Sequence, residues 1–89
     1  MTKIIIDGRL FKTKKRAHEY IAEKLSFPSF YGENLDALHD MLSSYGKPTL
    51  IRIRYPASIT ANLEKYGETL LRVFDEAEKE NRIIKVEIE

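Results

Sequence analysis

Three short segments rich in β-branched residues constrain the fold of this chain more than any other feature. They lie at residues 3–7, 49–54 and 83–88, and each has the length of a strand. The stretches between them are long enough for two helices each, and such connections favour parallel strands with right-handed crossovers. The sequence therefore predicts an α/β fold, a three-stranded parallel sheet with four helices packed against it, in the order β-α-α-β-α-α-β.

Helix signals occupy the first connection between strands. Thr13 is a suitable N-cap for a helix that ends near Leu25, and Asn34 is a suitable N-cap for a second helix that ends near Ser44 or Tyr45. Apolar residues recur at helical spacing in both stretches, which indicates that each helix buries one face. The segment between the two helices contains proline and glycine and is predicted to be a loop.

The second connection has the same organisation. Pro56 opens a third helix, Gly67 is interpreted as the end of that helix, and residues 68–80 form a fourth. The first strand contains the unbroken apolar run Ile4–Ile6. Such a run is typical of strands in parallel sheets that are covered on both faces, so we expect this strand to be covered on both faces.

Composition predicts one globular domain spanning residues 1–89. Hydrophobic residues make up 43% of the chain and charged residues 33%, and there is no cysteine. Disulfides and thiolate chemistry are therefore excluded. The N-terminal apolar run is too short for a signal peptide, and no stretch approaches the roughly 18 apolar residues of a membrane span. We expect a monomeric cytoplasmic protein without a membrane association.

An acidic cluster in the second helix is the strongest functional signal. No Lys or Arg occurs between residues 26 and 46, so nothing nearby in sequence neutralises Glu33, Asp36 and Asp40. Asp36 suits the start of a helix, because a carboxylate there interacts favourably with the helix dipole. Asp40 lies towards the end, where the dipole and the repulsion from Asp36 are both unfavourable. A charge that costs stability without local compensation is a candidate functional residue.

The fourth helix carries a second acidic pair. Glu76 and Glu80 are four residues apart and therefore share a face, and Arg72 lies one turn before Glu76, where it can form an ion pair. Taken alone, this pattern is more typical of a solvated surface than of a binding site.

Aromatic residues border the acidic cluster. Phe27 is predicted to belong to the core, and Phe30 or Tyr45 is the aromatic residue expected to be exposed. Exposed aromatic side chains around a charged patch are typical of protein interfaces. His18, on the basic first helix, is expected to be partly buried or at the surface.

Two alternative functions compete with protein binding. Asp36, His39 and Asp40 could approach a metal from one helix, but no second ligand cluster completes the coordination, and no catalytic motif is present. The basic N-terminal half, together with Arg52 and Arg54, could bind RNA. Stacking aromatics interleaved with these basic residues are missing, which makes nucleic acid an improbable partner. We therefore predict no metal, no cofactor and no catalytic residue.

The sequence resembles the barstar family, the intracellular inhibitors of barnase-type ribonucleases. The resemblance rests on the block Tyr31–Leu38 (YGENLDAL), on Asp40 and Leu42, and on a later stretch with Val73, Phe74, Glu76, Ala77 and Glu80. Length, element order and motif positions agree along essentially the whole chain. The resemblance implies a barstar-like fold and an inhibitor rather than an enzyme.

The family resemblance also implies a mechanism and a partner. An acidic helix and the loop before it would block the active site of a ribonuclease by presenting carboxylates where the RNA phosphates lie. The partner would be an extracellular-type or toxin ribonuclease with a basic active site, and the chain an antitoxin or immunity protein. The implied partner-binding residues are Phe30, Asp36, His39, Asp40, Ser44, Tyr45, Glu76 and Glu80.

Four of these positions depart from the family pattern. Phe30 occupies a position that is normally Tyr, and His39 stands where the best-known member has Trp. Ser44 and Tyr45 replace a Gly–Trp pair. The carboxylates are retained while the side chains around them differ, so these departures affect the choice of target ribonuclease more than the general activity.

Overall fold

The computed structural model describes all 89 residues and contains three strands and four α-helices. Their order confirms the predicted β-α-α-β-α-α-β arrangement, and a short 3₁₀ turn, Gly8–Leu10, follows the first strand. None of the helices combines the length and the apolar composition needed to cross a membrane. The elements are β1 (Thr2–Asp7), α1 (Lys14–Leu25), α2 (Leu35–Ser43), β2 (Thr49–Arg54), α3 (Pro56–Leu63), α4 (Lys65–Glu80) and β3 (Ile84–Ile88).

The three strands form one parallel sheet, as predicted. The strand order is β1-β2-β3, so β2 is central and the other two strands are edges. The register aligns Ile4 with Ile51 and Ile51 with Val86. Both connections between neighbouring strands therefore pass through a pair of helices, because parallel strands cannot be joined by a tight turn.

The helices cover only one face of the sheet. Ile6, Ile51 and Ile53 point to the covered face and are fully buried. On the opposite face, Arg52 of β2 pairs with Glu87 of β3 and is solvated. The prediction that β1 is covered on both faces is wrong, because alternate residues of this edge strand point away from the helices.

The interior is one hydrophobic cluster of 16 buried residues, drawn from the strands, the four helices and the segment before α1. The amphipathic stripes of α1, α2 and α4 supply most of its helical part. Phe27, predicted to lie in the core, is half-buried and packs against the cluster instead. The helical members are Ala17, Ile21, Leu25, Leu38, Leu42, Ile59, Leu63, Leu70, Val73, Phe74 and Ala77.

The junction between α3 and α4 differs from the prediction. Helix α3 ends at Leu63. Glu64 separates it from α4, because its φ of 55° is not helical. Gly67 lies inside α4 and is buried rather than ending α3. A Cβ atom at this position would lie 2.6 Å from the carbonyl oxygen of Ile59. Gly67 is therefore needed for the close approach of the two helices, and its helix-breaking tendency is overridden by packing.

Side chains cover outward-facing amides on both edges of the sheet. On β1, the amide of Asp7 donates to the hydroxyl of Tyr20 at 2.9 Å. On β3, the amide of Val86 donates to Oε2 of Glu78 at 2.6 Å. Both partners come from the helices packed beside these strands, so each edge strand is bonded to its neighbouring helix as well as to β2.

We expect Gly67→Ala to destabilise the protein by about 1–3 kcal/mol, because the added methyl group meets backbone that cannot rotate away. Urea unfolding would measure the change. Gly46→Ala is the matched control, since nothing lies within 4 Å of a Cβ atom there, and its effect should stay within about 0.5 kcal/mol. Equal stability of the two variants would contradict the packing role of Gly67.

Candidate functional site

The start of α2 is fixed by a side-chain cap. Oδ1 of Asn34 accepts a hydrogen bond from the amide of Ala37 at 2.8 Å, and its Nδ2 donates to the carbonyl of Gly32. This cap satisfies one of the free amides at the helix start. Asp36 then lies in the first turn, where the helix dipole favours it, and Asp40 lies in the last turn, where the dipole opposes it.

The carboxylates of Asp36 and Asp40 are exposed and free of intramolecular partners. Neither takes part in an ion pair or a side-chain hydrogen bond. Glu76 on α4 is also exposed and unpaired, and the ion pair with Arg72 that the sequence suggested does not form. All three charges are therefore available to a molecule from outside.

Two polar contacts attach α2 to α4. Nε2 of His39 lies 2.5 Å from Oε2 of Glu80. Asn81, which caps the end of α4, donates from Nδ2 to the carbonyl oxygens of Leu42 and Tyr45, at 2.9 and 3.0 Å. The C-terminal end of α2 is thereby held against the C-terminal end of α4. This role of Asn81 was not predicted from the sequence.

The two predicted acidic pairs lie on neighbouring helices. The His39–Glu80 contact joins α2, which carries Asp36 and Asp40, to the end of α4 that carries Glu76 and Glu80. We call this surface the acidic face; it consists of Asp36, Asp40, Glu76 and Glu80. Glu80 differs from the other three members, since its carboxylate is engaged by His39.

The loop before α2 presents one large apolar side chain. Residues 26–34 form this loop, and its centre is a turn in which the amide of Tyr31 donates to the carbonyl of Pro28 at 3.0 Å. Phe30, inside the turn, is 82% exposed, which confirms the prediction that it is an exposed aromatic. Two residues of the loop have positive φ, the first residue Ser26 at 57° and the penultimate residue Glu33 at 52°.

The residues at the end of α2 have structural partners. Oγ of Ser44 donates to the carbonyl of Asp40 at 2.8 Å and so caps the helix end. The hydroxyl of Tyr45 donates to the carbonyl of Leu25 at 3.0 Å, and its ring packs edge-on against Phe27. Of the two candidates for exposure, Phe30 is the exposed one, and Tyr45 is half-buried. Its ring has an apolar neighbour that the sequence could not locate.

His18 was the least well predicted residue. It is 1% exposed and lies between two tyrosine hydroxyls, with Nδ1 2.7 Å from that of Tyr31 and Nε2 2.6 Å from that of Tyr66. Burial lowers the pKa of His18, although the charge of Glu33 acts in the opposite direction. Burial also raises the pKa of both tyrosines. All three side chains are therefore neutral near pH 7.

Some of the basic side chains proposed for RNA binding are engaged within the protein, whereas Lys12, Lys15 and Arg16 are exposed and unpaired. Three arginines form ion pairs with carboxylates, namely Arg9 with Asp7, Arg52 with Glu87 and Arg54 with Glu89. The one aromatic ring beside them, Tyr55, is itself covered by the guanidinium of Arg9 at 4.1 Å from its centroid. The structure therefore reduces the cationic and stacking groups free for RNA at Arg9, Arg52, Arg54 and Tyr55.

The metal alternative has no support in the geometry. No group of three or more His, Cys, Asp or Glu side chains in the structure is arranged to hold a metal ion. His39 directs Nε2 to Glu80 on another helix rather than towards Asp36 and Asp40.

Fold and site together define a class, a small α/β protein with a three-stranded parallel sheet and an exposed acidic face built on two adjoining helices. A family profile described as "Barstar (barnase inhibitor)" matches residues 1–89. The chain therefore belongs to the barstar family. A Bacillus subtilis (strain 168) protein named "Putative ribonuclease inhibitor YrdF" is 43% identical over 82 residues, which cover 90% of this chain and 89% of that protein. Members of the family are inhibitors and not enzymes, in agreement with the sequence-based prediction.

The burial of His18 makes stability depend on pH. In the unfolded chain the imidazole takes up a proton as the pH falls through its ordinary pKa of 6.5, whereas in the folded protein its pKa is lower. We therefore expect stability to fall as the pH drops below 6.5, by at most about 1.4 kcal/mol per pH unit, and not to change through His18 above it.

Urea unfolding between pH 7.5 and 5.5 measures this slope. His18→Gln is the informative variant. We expect it to be less stable at every pH, but its free energy of unfolding should change less with pH in this window than that of the wild type. The variant retains His39, so the difference reports His18 alone. Parallel slopes for the two proteins would contradict the assignment.

Proposed function

We propose that this protein inhibits a barnase-type ribonuclease by covering the enzyme's active site with the acidic face. The observation that carries the proposal is that Asp36 and Asp40 are exposed and unpaired. Asp40 also lies in the last turn of α2, where the helix dipole makes a negative charge unfavourable. Family membership and the name of the Bacillus subtilis relative support the same activity. The partner is a ribonuclease of the extracellular or toxin type, and the protein acts as its cytoplasmic antitoxin or immunity protein.

The chemical basis is mimicry of RNA phosphate. A ribonuclease must be basic where it holds the phosphates of its substrate. Carboxylates accept charge-assisted hydrogen bonds from the same Arg and Lys groups, and Arg can bind a carboxylate through two parallel bonds. Asp40 is the central contact in this proposal, with Asp36 and Glu76 as further acceptors. No bond is made or broken, so the activity is inhibition by occupancy.

The remaining site residues have different roles. Phe30 is the apolar contact beside the carboxylates, because an exposed aromatic ring supplies interface area at a low entropic cost. His39 holds Glu80, so Glu80 contributes less to the partner than the free carboxylates do. Ser44 and Tyr45 lie at the rim of the interface, where they fix the end of α2.

Asp40→Ala should weaken inhibition of barnase by about 10- to 100-fold, the usual range for a lost hydrogen bond to a charged group. Glu80→Ala should weaken it by less than about 5-fold, as expected for an exposed pair. Inhibition constants from a ribonuclease assay measure both effects. The control is Glu87→Gln, which removes the same charge from the uncovered face of the sheet and should leave inhibition unchanged. Equal inhibition by wild type and Asp40→Ala would refute phosphate mimicry.

Association with barnase should slow as salt concentration rises, because the acidic face attracts the basic enzyme through solvent. Stopped-flow mixing between 50 and 500 mM NaCl measures the association rate. The salt dependence should be weaker for Asp36→Asn and unchanged for Glu87→Gln. The same preparations should give no gel shift with RNA alone; a salt-sensitive shift would favour RNA binding instead.

A further inference from the structure

A buried hydrogen-bond network connects the loop of residues 26–34 to two helices. His18 of α1 bonds to the hydroxyl of Tyr31 in the loop and to that of Tyr66 on α4. Both bonds are short, at 2.7 and 2.6 Å, and the imidazole between them is shielded from water. Lys14 covers the ring of Tyr66 on the outside, with Nζ 4.6 Å from its centroid.

The two bonds of His18 depend on each other. A neutral imidazole has one N–H donor and one acceptor nitrogen. One tyrosine hydroxyl must therefore donate to His18 while the other accepts from it. If either hydroxyl is removed, a nitrogen of a buried ring loses its partner, which is costly away from water. The position of Tyr31 is thus linked through His18 to Tyr66.

The loop has few other means of keeping its shape. Ser26 and Glu33 hold left-handed backbone, which costs roughly 1–2 kcal/mol for each non-glycine residue. Phe30 is exposed and contributes almost no packing. The ring of Tyr31 contacts Phe27, with the centroids 4.9 Å apart, and its hydroxyl reaches His18. Phe27 and Tyr31 both pack against the core, and Tyr31 also makes the loop's hydrogen bond to the buried imidazole.

We propose that His18 and Tyr66 are positioning residues, which hold the loop of residues 26–34 in the conformation that binds the ribonuclease. This inference rests on the proposed function and deepens it. Neither residue belongs to the acidic face, and Tyr66 lies at the N-terminal end of α4, whereas Glu76 and Glu80 lie at the opposite end. Binding to a loop that is already ordered avoids the entropic cost of ordering it in the complex.

Tyr66→Phe tests the proposal with minimal disturbance, because it removes one hydroxyl and keeps the ring. The matched control is Tyr20→Phe, which also removes one hydroxyl hydrogen bond but breaks the contact with the amide of Asp7 on β1. Dissociation from barnase should be about 3- to 10-fold faster for Tyr66→Phe and unchanged for Tyr20→Phe. The association rate should stay within twofold for both, because the carboxylates that attract the enzyme are intact.

A double variant tests whether the two tyrosines act through one imidazole. Tyr31→Phe alone should accelerate dissociation about as much as Tyr66→Phe. The combined Tyr31→Phe/Tyr66→Phe variant should dissociate more slowly than the product of the two single effects predicts, since residues in one network are not additive. If the effect of the double variant on the dissociation rate equals the product of the two single effects, the tyrosines act independently and the proposed network is refuted.

Hydrogen exchange in the free protein separates this inference from the proposed function. The amide of Tyr31, which donates to the carbonyl of Pro28, should exchange faster in Tyr66→Phe than in Tyr20→Phe, relative to amides of the core strand β2. Equal exchange would overturn the positioning role, whatever the inhibition assay gives. If the wild type does not inhibit barnase, the proposed function fails, whereas the dependence of the loop on Tyr66 is still measured by this experiment.

Discussion

The packing of α2 against α4 is the interaction on which the acidic face depends. It places the helix that carries Asp36 and Asp40 beside the helix that carries Glu76 and Glu80, about forty positions further along the chain, and all four residues are exposed. Repulsion within one such pair costs only about 0.2–0.5 kcal/mol. Burying a single leucine such as Leu38 stabilises the fold by about 1.5–3 kcal/mol. The core beneath the two helices therefore outweighs the repulsion on their outer side, and a surface that opposes folding locally persists in the folded protein.

Strands, helices and their order could be predicted because they follow from periodicity within one segment. The stripes of α1, α2 and α4 occupy the core as their spacing indicates. Contacts between polar atoms of different segments are not encoded in this way, which is why the roles of His18 and Asn81 were missed. A signal for His18 does exist, since it lies three residues before the buried Ile21 and so borders the apolar stripe of α1. Gly67 offers a similar signal, because it lies three residues before the buried Leu70 and therefore on the same face of α4.

The distribution of charge in space differs from its distribution along the chain. The basic segments look available in the sequence, but three of their arginines pair with carboxylates: Arg9 with Asp7 two residues before it, and Arg52 and Arg54 with Glu87 and Glu89 at the C-terminus of the chain. The acidic segments look weaker, but three of the four carboxylates of the acidic face have no partner. A net charge of +1 therefore describes the molecule poorly. The unpaired carboxylates lie on α2 and α4, whereas the ion pairs of Arg52 and Arg54 lie on the uncovered face of the sheet.

Tyr20 and Glu78 each accept a hydrogen bond from an amide on an edge strand of the sheet. A three-stranded sheet has two edges for one central strand, and unpaired edge amides are sites where further chains can add strands. Here an amide on each edge is already bonded to a helix side chain. An incoming strand would have to displace a hydroxyl on one edge and a carboxylate on the other. One amide on each edge of the sheet is therefore already occupied and is not free to pair with a further strand.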